Sequence, residues 1–522
     1  MTLAELLTHW GLSENPFRGE EARADAVFAR MSALDTGAMP GIGGHFAAFH
    51  SDFEKVLGDL ARPSSSIVFG EKGSGKTAMR LQLASRIAAY NAANPAAKVL
   101  LVAYDDLNSY LDRLHARLAA AGSKGPLESF QKLRLVDHLD AILHIITVRL
   151  IDALLNEGRG EAVELNAKPR EIVKNLDKAQ RRALLRVQSV YDRPDRAPAR
   201  TRVLRRRLRI LPPWSRVLSS ALAYFGWVPA LVVFVLAYVQ KVPLTDPTLL
   251  YALGALVSVW LLAILKHAVW DELILRTLGR RVRKQIRVLA RAHWSFADSL
   301  AQLDRNTRAS VNLPVSDSDE IRYVMLDALR GVLAKAGYAG IVVIVDRMDE
   351  PTLVSGDADR MRAVVWPMLN NKFLQREGVG IKMLLPIELR HALFKESNAF
   401  FQEARLDKQN LVERLQWTGA SLYDLCEARL KACVSADHAA SAPSALIEMF
   451  DQDVTRQDLI EALDQMHQPR DAFKMLYRCM TEHCATVTRT ENMWRIPRAT
   501  LEMVRRQEAE RVQQLYRGIR PA

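Results

Sequence analysis

The chain has little of what would staple it or bind a metal. Four cysteines occur in 522 residues. Cys426, Cys433, Cys479 and Cys484 are spaced by seven and five within helical patterns, which matches neither a zinc-ligand spacing nor a disulfide framework. The twelve histidines are scattered, and no nuclease, protease or deaminase constellation is visible. Met1-Thr2-Leu3-Ala4-Glu5 has neither a basic leader nor a long apolar stretch, so no secretory signal is expected and the first 200 residues are expected to stay in the cytoplasm. Internal repeats and low-complexity tracts are missing too. With 49% apolar residues the chain can fill a buried core, and its length suits about two to four compact units.

Charge is also missing from two long runs. Val217–Gln240 and Pro247–Leu265 contain no Asp, Glu, Lys or Arg, and each is near the roughly 20 residues a helix needs to cross a bilayer. A buried helical pair in a soluble core is the alternative. The flanks argue for a membrane hairpin, because Lys168–Arg216 carries 16 basic and 4 acidic residues and Lys266–Arg291 carries 8 and 2. These flanks hold +12 and +6 of a net +13, so the rest of the chain is slightly acidic. Basicity concentrated beside the apolar runs is a topology signal and a match for anionic lipid heads, and a nucleic-acid partner is not expected. The positive-inside rule places both flanks and both termini on the cytoplasmic side of an inner membrane, with only the Lys241–Asp246 turn beyond it. Neither run holds an ionisable side chain, which weakens a transporter or channel reading, although an oligomeric pore stays open. Gly254 and Ser258 would allow close helix packing, either within the hairpin or between copies.

What is present on either side of the hairpin is a split phosphate-binding pattern. Gly70-Glu71-Lys72-Gly73-Ser74-Gly75-Lys76-Thr77 fits G-x-x-x-x-G-K-[ST]. It follows the apolar strand Ile67-Val68-Phe69 and opens a helix over Thr77–Tyr90 with Met79, Leu81, Leu83 and Ile87 at helical spacing. Gly70, Gly73 and Gly75 allow positive φ and unobstructed N–H groups, Ser74 completes the loop, Lys76 supplies a cation to the β- and γ-phosphates, and the Thr77 hydroxyl is a magnesium ligand. Val99–Tyr104 is a second strand, so a parallel α/β core is expected.

The partner motif lies some 260 residues later. Ile341–Val345 is a strand that delivers Asp346 to magnesium, Gly380–Leu385 a fourth, and Asn410–Leu415 a fifth. Arg347 stands where a hydrolytic Glu often follows the strand Asp, which leaves Asp349 and Glu350 to orient or deprotonate water, against the plainer reading of a solvated loop pair. Arg470, in Gln468-Pro469-Arg470-Asp471, opens a late helix and looks like the sensor arginine that a helical lid points at the γ-phosphate in AAA-like proteins, against the plainer reading of a surface Arg in a helix cap. Arg405 and Arg414 are candidates to act across a subunit interface. Glu388, after the fourth strand, is given a structural role because an acid beside phosphate would repel it.

A phosphate loop with transmembrane helices between its two motifs, and a second motif of hydrophobic strand–Asp–x–hydrophobic–Asp, resembles the KAP family of P-loop NTPases and their STAND and AAA-like relatives. Asp346 and Asp349 match the two acids of that motif, and Glu350 stands where KAP proteins usually carry Arg. The resemblance covers the two motifs and the order of insertion, about half the chain. Asn15-Pro16-Phe17 is similar to a linker that packs near adenine in some such ATPases, or else a loop with a core Phe. The resemblance implies binding and hydrolysis of ATP with Mg2+, nucleotide-driven changes of conformation or homo-oligomeric assembly, an unidentified effector protein and, in bacteria, a link to antiphage defence. The alternative is an ATP-binding membrane scaffold with little turnover. The expected organisation is a helical N-terminal segment (1–60), half of the NTPase core (61–107), a basic helical insertion (108–216), the hairpin (217–265), basic return helices (266–315), the second half-core (316–417) and a helical lid (418–522).

Overall fold

The computed structural model describes residues 1–18, 21–36, 50–157, 162–240, 243, 246–435, 443–488 and 493–516. Most of the Lys241–Asp246 turn, and 37–49 of the N-terminal segment, lie outside the described residues. The fold is α/β. Its strands are β1 Ser66–Gly70, β2 Lys98–Tyr104, β3 Tyr338–Val345, β4 Val379–Pro386 and β5 Asn410–Val412. They form one parallel sheet in the order β2-β3-β4-β1-β5, consistent with a P-loop-like core. Both faces are covered, which is why β1, β3 and β4 read as nearly continuous Val, Ile and Leu rather than as an alternation. On one face Met79, Leu83 and Ile87 of helix Lys76–Ala93 pack with Val68, Val342 and Leu384. On the other, helices Leu135–Leu155 and Glu320–Lys335 cover Ile67, Val343 and Leu385. Leu81, expected on the apolar stripe, is only half-buried, and Gln82 takes a buried place.

β2 and β3 are hydrogen-bonded neighbours, from Val99 opposite Gly340 to Tyr104 opposite Val345. The whole basic insertion and both apolar helices are therefore one long excursion between adjacent strands. Buried ion pairs close it. Arg322, fully buried, meets Asp140 at 2.9 Å, and the Tyr191 hydroxyl donates to the same carboxylate at 2.6 Å. Arg322 also donates to Ser316 O and Ser318 O, holding these residues as a turn ahead of helix Glu320–Lys335.

The first apolar run is two helices, Trp214–Phe225 and Val228–Val239, interrupted at Gly226-Trp227. Pro229 lacks an N–H and is accommodated in the first turn of the second helix. At the break, indole N–H groups of Trp227 and Trp260 donate to Tyr224 O and Ala223 O. The second run is the helix Pro247–Leu265, which continues through a π turn, Lys266–Trp270, into Asp271–Gln285. Both runs are long and apolar enough to cross a membrane, and only 6% of each apolar stretch is buried in the protein. A core helical pair would be covered. Gly254 does not serve self-packing of the hairpin, because a Cβ there would meet nothing within 4 Å.

The basic return segment is helical over Asp271–Gln285 and again over His293–Leu300. Between them Arg287 reaches Asp137, and buried Arg291 donates to Ser189 O and Ser295 O. The C-terminal helices form a separate core with Leu6, Trp10 and Phe17 of the N-terminal segment.

Candidate functional site

The loop from Gly70 to Thr77 leaves the carboxyl end of buried β1 and enters helix Lys76–Ala93, where ligands of open α/β sheets bind. Gly73 and Gly75 have φ of +102° and +97°, which only glycine adopts without strain. Gly70 differs from the expectation of positive φ. It ends β1, and its need is space, since a Cβ there would lie 2.5 Å from Ser74 Oγ. Lys76 Nζ donates to Gly70 O at 2.7 Å and Glu71 O at 2.9 Å. Burial lowers the Lys76 pKa, opposed first by the carboxylate of Asp349 and then by those of Asp346 and Glu388.

Asp346 follows the last residue of β3 and is buried. Its Oδ1 accepts from Arg347 N at 2.9 Å, while Oδ2 is buried without a hydrogen bond, with Arg80 3.8 Å away. Burial raises its pKa, and the Arg347 N–H, Arg80 and Lys76 oppose the rise. An orphaned buried oxygen near the Thr77 helix start fits a magnesium ion. Among the described residues no three His, Cys, Asp or Glu cluster into a metal cage, so such an ion would rest on Thr77, Asp346, water and substrate phosphates, as Mg2+ prefers.

The two remaining acids separate. Glu350 is exposed and ion-paired to Arg347 Nε at 2.8 Å. Asp349 is half-buried in the same cavity as Lys76, and its carboxylate has no hydrogen bond or ion pair among the described residues. Arg347 itself sits at φ +60° and also reaches Glu21 at 2.8 Å. Arg470, at the start of helix Pro469–Thr486, lies over the loop. Arg414 is paired with Glu71 of its own chain at 2.6 Å. Arg405 lies elsewhere, beside Phe401 and Asp407. Glu388 is exposed and does not line the cavity.

The cavity measures about 410 Å³, within the range of small-ligand sites. Lys76, Thr77, Asp346, Asp349 and Arg470 are among its polar lining, and Phe28, Met31, Leu425 and Phe473 give it an apolar side. Phe17 is not part of it. That residue is core, and Pro16 O accepts from Arg429 at 2.7 Å. A larger open groove of about 1080 Å³ beside helix Glu320–Lys335 and the start of β3 contains none of the motif residues.

Several site residues escaped sequence reasoning. Trp417 donates to Ser74 O at 2.9 Å, with His50 edge-on to its ring. Asp105, after β2, is clasped by Arg80 at 2.6 Å and Arg23 at 2.7 Å, and Asp25 binds Arg429 at 2.6 Å. Asp105 alone had a signal, an acid ending a buried strand as Asp346 does. Comparison of the chain with protein families, with characterised proteins and with solved structures found no match in any of the three.

Proposed function

We propose that the chain is a membrane-anchored ATPase of the KAP-like, AAA-like kind, with its nucleotide in the cavity above β1 and β3. The observation that carries the reading is the convergence, in one cavity, of Lys76, Thr77, the unsatisfied oxygen of Asp346 and the unpaired carboxylate of Asp349. The apolar side suits a purine base, and the loop N–H groups with Lys76 suit the β- and γ-phosphates. Magnesium, when bound by Thr77 and Asp346, supplies neutralisation of phosphate charge. Asp349 orients the attacking water and accepts its proton, and Arg470 stabilises γ-phosphate charge from the helical lid. Glu350, drawn to Arg347, is the lesser candidate. The exposed apolar helices hold the enzyme in a cytoplasmic membrane.

Phosphate release by full-length protein in detergent, compared with Lys76→Ala, tests the proposal. Turnover in the parent and its loss in the variant are expected. ATP binding without release in the parent would replace the enzyme by a nucleotide-dependent scaffold.

A further inference from the structure

The basic flank ahead of the first apolar helix is two populations. Arg193 and Arg200 turn inward to Asp152, and Arg200 also meets Asp192 at 2.9 Å. Arg205 is held by Gln302. A second set surrounds a groove of about 680 Å³ between helix Pro169–Asn175, the following helix Lys178–Tyr191 and the end of helix Ala197–Arg207. Lys168, Arg170, Lys174, Arg206 and Arg209 line it, all exposed, and none of these side chains has a hydrogen bond or ion pair among the described residues. Arg181 and Arg207 line it as well, partly engaged with the carbonyls of Leu176, Lys174 and Leu154. Glu171 is the one acid among the lining residues. Cations converging on one concavity repel one another unless an anion is supplied, and the cost is greatest where low-dielectric walls focus the field.

The position of the groove selects the anion. Arg209, at φ +54°, turns the chain out of helix Ala197–Arg207, and within five residues come Leu211, 86% exposed, and Trp214, 78% exposed, the first residue of the first apolar helix. An exposed Leu and Trp beside a basic concavity at the foot of a membrane helix match the order of acyl chain, interface and headgroup.

We propose that this groove binds the phosphodiester headgroup of anionic membrane lipids and so fixes the ATPase core against the bilayer surface. The inference rests on the membrane reading above.

The test uses full-length protein in neutral detergent, titrated with short-chain phosphatidylglycerol, short-chain phosphatidylcholine, inorganic phosphate and a short oligonucleotide. Saturable binding is expected for phosphatidylglycerol, at least tenfold weaker binding for phosphatidylcholine, and loss on raising salt. The triple variant Lys174→Gln, Arg206→Gln, Arg209→Gln should lose about 100-fold in affinity, from roughly fivefold per charge near an anionic headgroup. The same three positions exchanged between Lys and Arg should retain binding. ATP binding by each variant reports that it has folded. Equal affinity for the two lipids, an unaffected triple variant, or tighter binding of phosphate or oligonucleotide than of phosphatidylglycerol would each overturn the proposal. Membrane fractionation of the parent separates the two readings: protein absent from membranes refutes the anchor itself, whereas protein present without lipid preference refutes only the groove.

Discussion

Arg470 rests on Gly73. A Cβ added to Gly73 would stand 3.0 Å from Arg470 Cβ and 3.2 Å from its Cδ and Nε. Helix Pro469–Thr486 thus touches the glycine-rich loop at a position where φ of +102° also demands glycine. Arg470 has no hydrogen bond or ion pair among the described residues, and its charge lowers the Lys76 pKa as a minor contribution behind burial.

Gly73→Ala should therefore act twice, by backbone strain on the order of 1–3 kcal/mol and by displacing Arg470. A loss of ATP affinity on the order of 10-fold or more is expected by equilibrium titration. Arg470→Ala should spare ADP affinity and weaken ATP. Equal loss for both nucleotides would assign Arg470 to general packing of the lid.

For the hydrolytic acid, Asp349→Asn should keep ATP affinity and lose turnover by on the order of 10²–10⁴-fold, the range of a general-base contribution. Asp346→Asn should weaken magnesium-dependent binding as well. Single-turnover phosphate release distinguishes them. If Asp349→Asn turns over normally and Glu350→Gln does not, the roles are reversed.

Deletion of Val217–Leu265 with a short linker should leave a protein that binds ATP and leaves the membrane fraction. The two ends adjoin, since Ser219 Oγ lies 3.3 Å from His267 Nδ1 and 3.5 Å from Asp271. A high-salt wash removes protein held only by its basic flanks, so retention after that wash contradicts the anchor. In intact cells, an impermeant thiol reagent should label a cysteine placed at Lys241–Asp246 and not one near residue 450; labelling near 450 would invert the topology.

His138 gives a pH signature. Fully buried, its Nδ1 accepts from the Tyr104 hydroxyl and its Nε2 donates to Val364 O, both at 2.9 Å. Burial pushes its pKa down to about 4, against the opposing influence of Asp137 and the Val364 carbonyl. The unfolded chain binds a proton below about pH 6.5 that the folded protein refuses until about pH 4. Stability should fall across that window by on the order of 3 kcal/mol from this group. His138→Gln should flatten the decline in thermal midpoint between pH 7 and 5; an unchanged pH dependence would show that other groups govern it.

The sheet was largely legible. Ile67–Phe69, Ile341–Val345 and Gly380–Leu385 are apolar runs buried on both faces, Val99–Tyr104 is one with Leu101 and Ala103 half-buried, and each is found in a strand with only its ends shifted. Even Asn410–Val412 pairs with β1 where a strand was expected. Less legible was the continuity of helices. Arg287 and Arg291 lie in the break between the return helices and donate to Asp137 and to Ser189 O far along the chain, and no local pattern marks those partners.

By itself the sequence determined that a glycine-rich loop would follow a buried strand and open a helix, that Asp346 would end another strand, and that two uncharged runs would be long enough to span a bilayer. These depend on spacing, hydropathy and backbone freedom, which are local. The tertiary structure alone decided that Arg470 would cover Gly73, that Trp417 would bind Ser74 O, that Arg347 would draw Glu350 aside and leave Asp349 in the cavity, and that Asp105 would be clasped by Arg23 and Arg80. Each joins residues tens to hundreds of positions apart or depends on how one turn orients its side chains. Such meetings follow from the packing of sheet, lid and N-terminal segment, because a charged side chain shielded from water takes whichever partner that packing brings within reach.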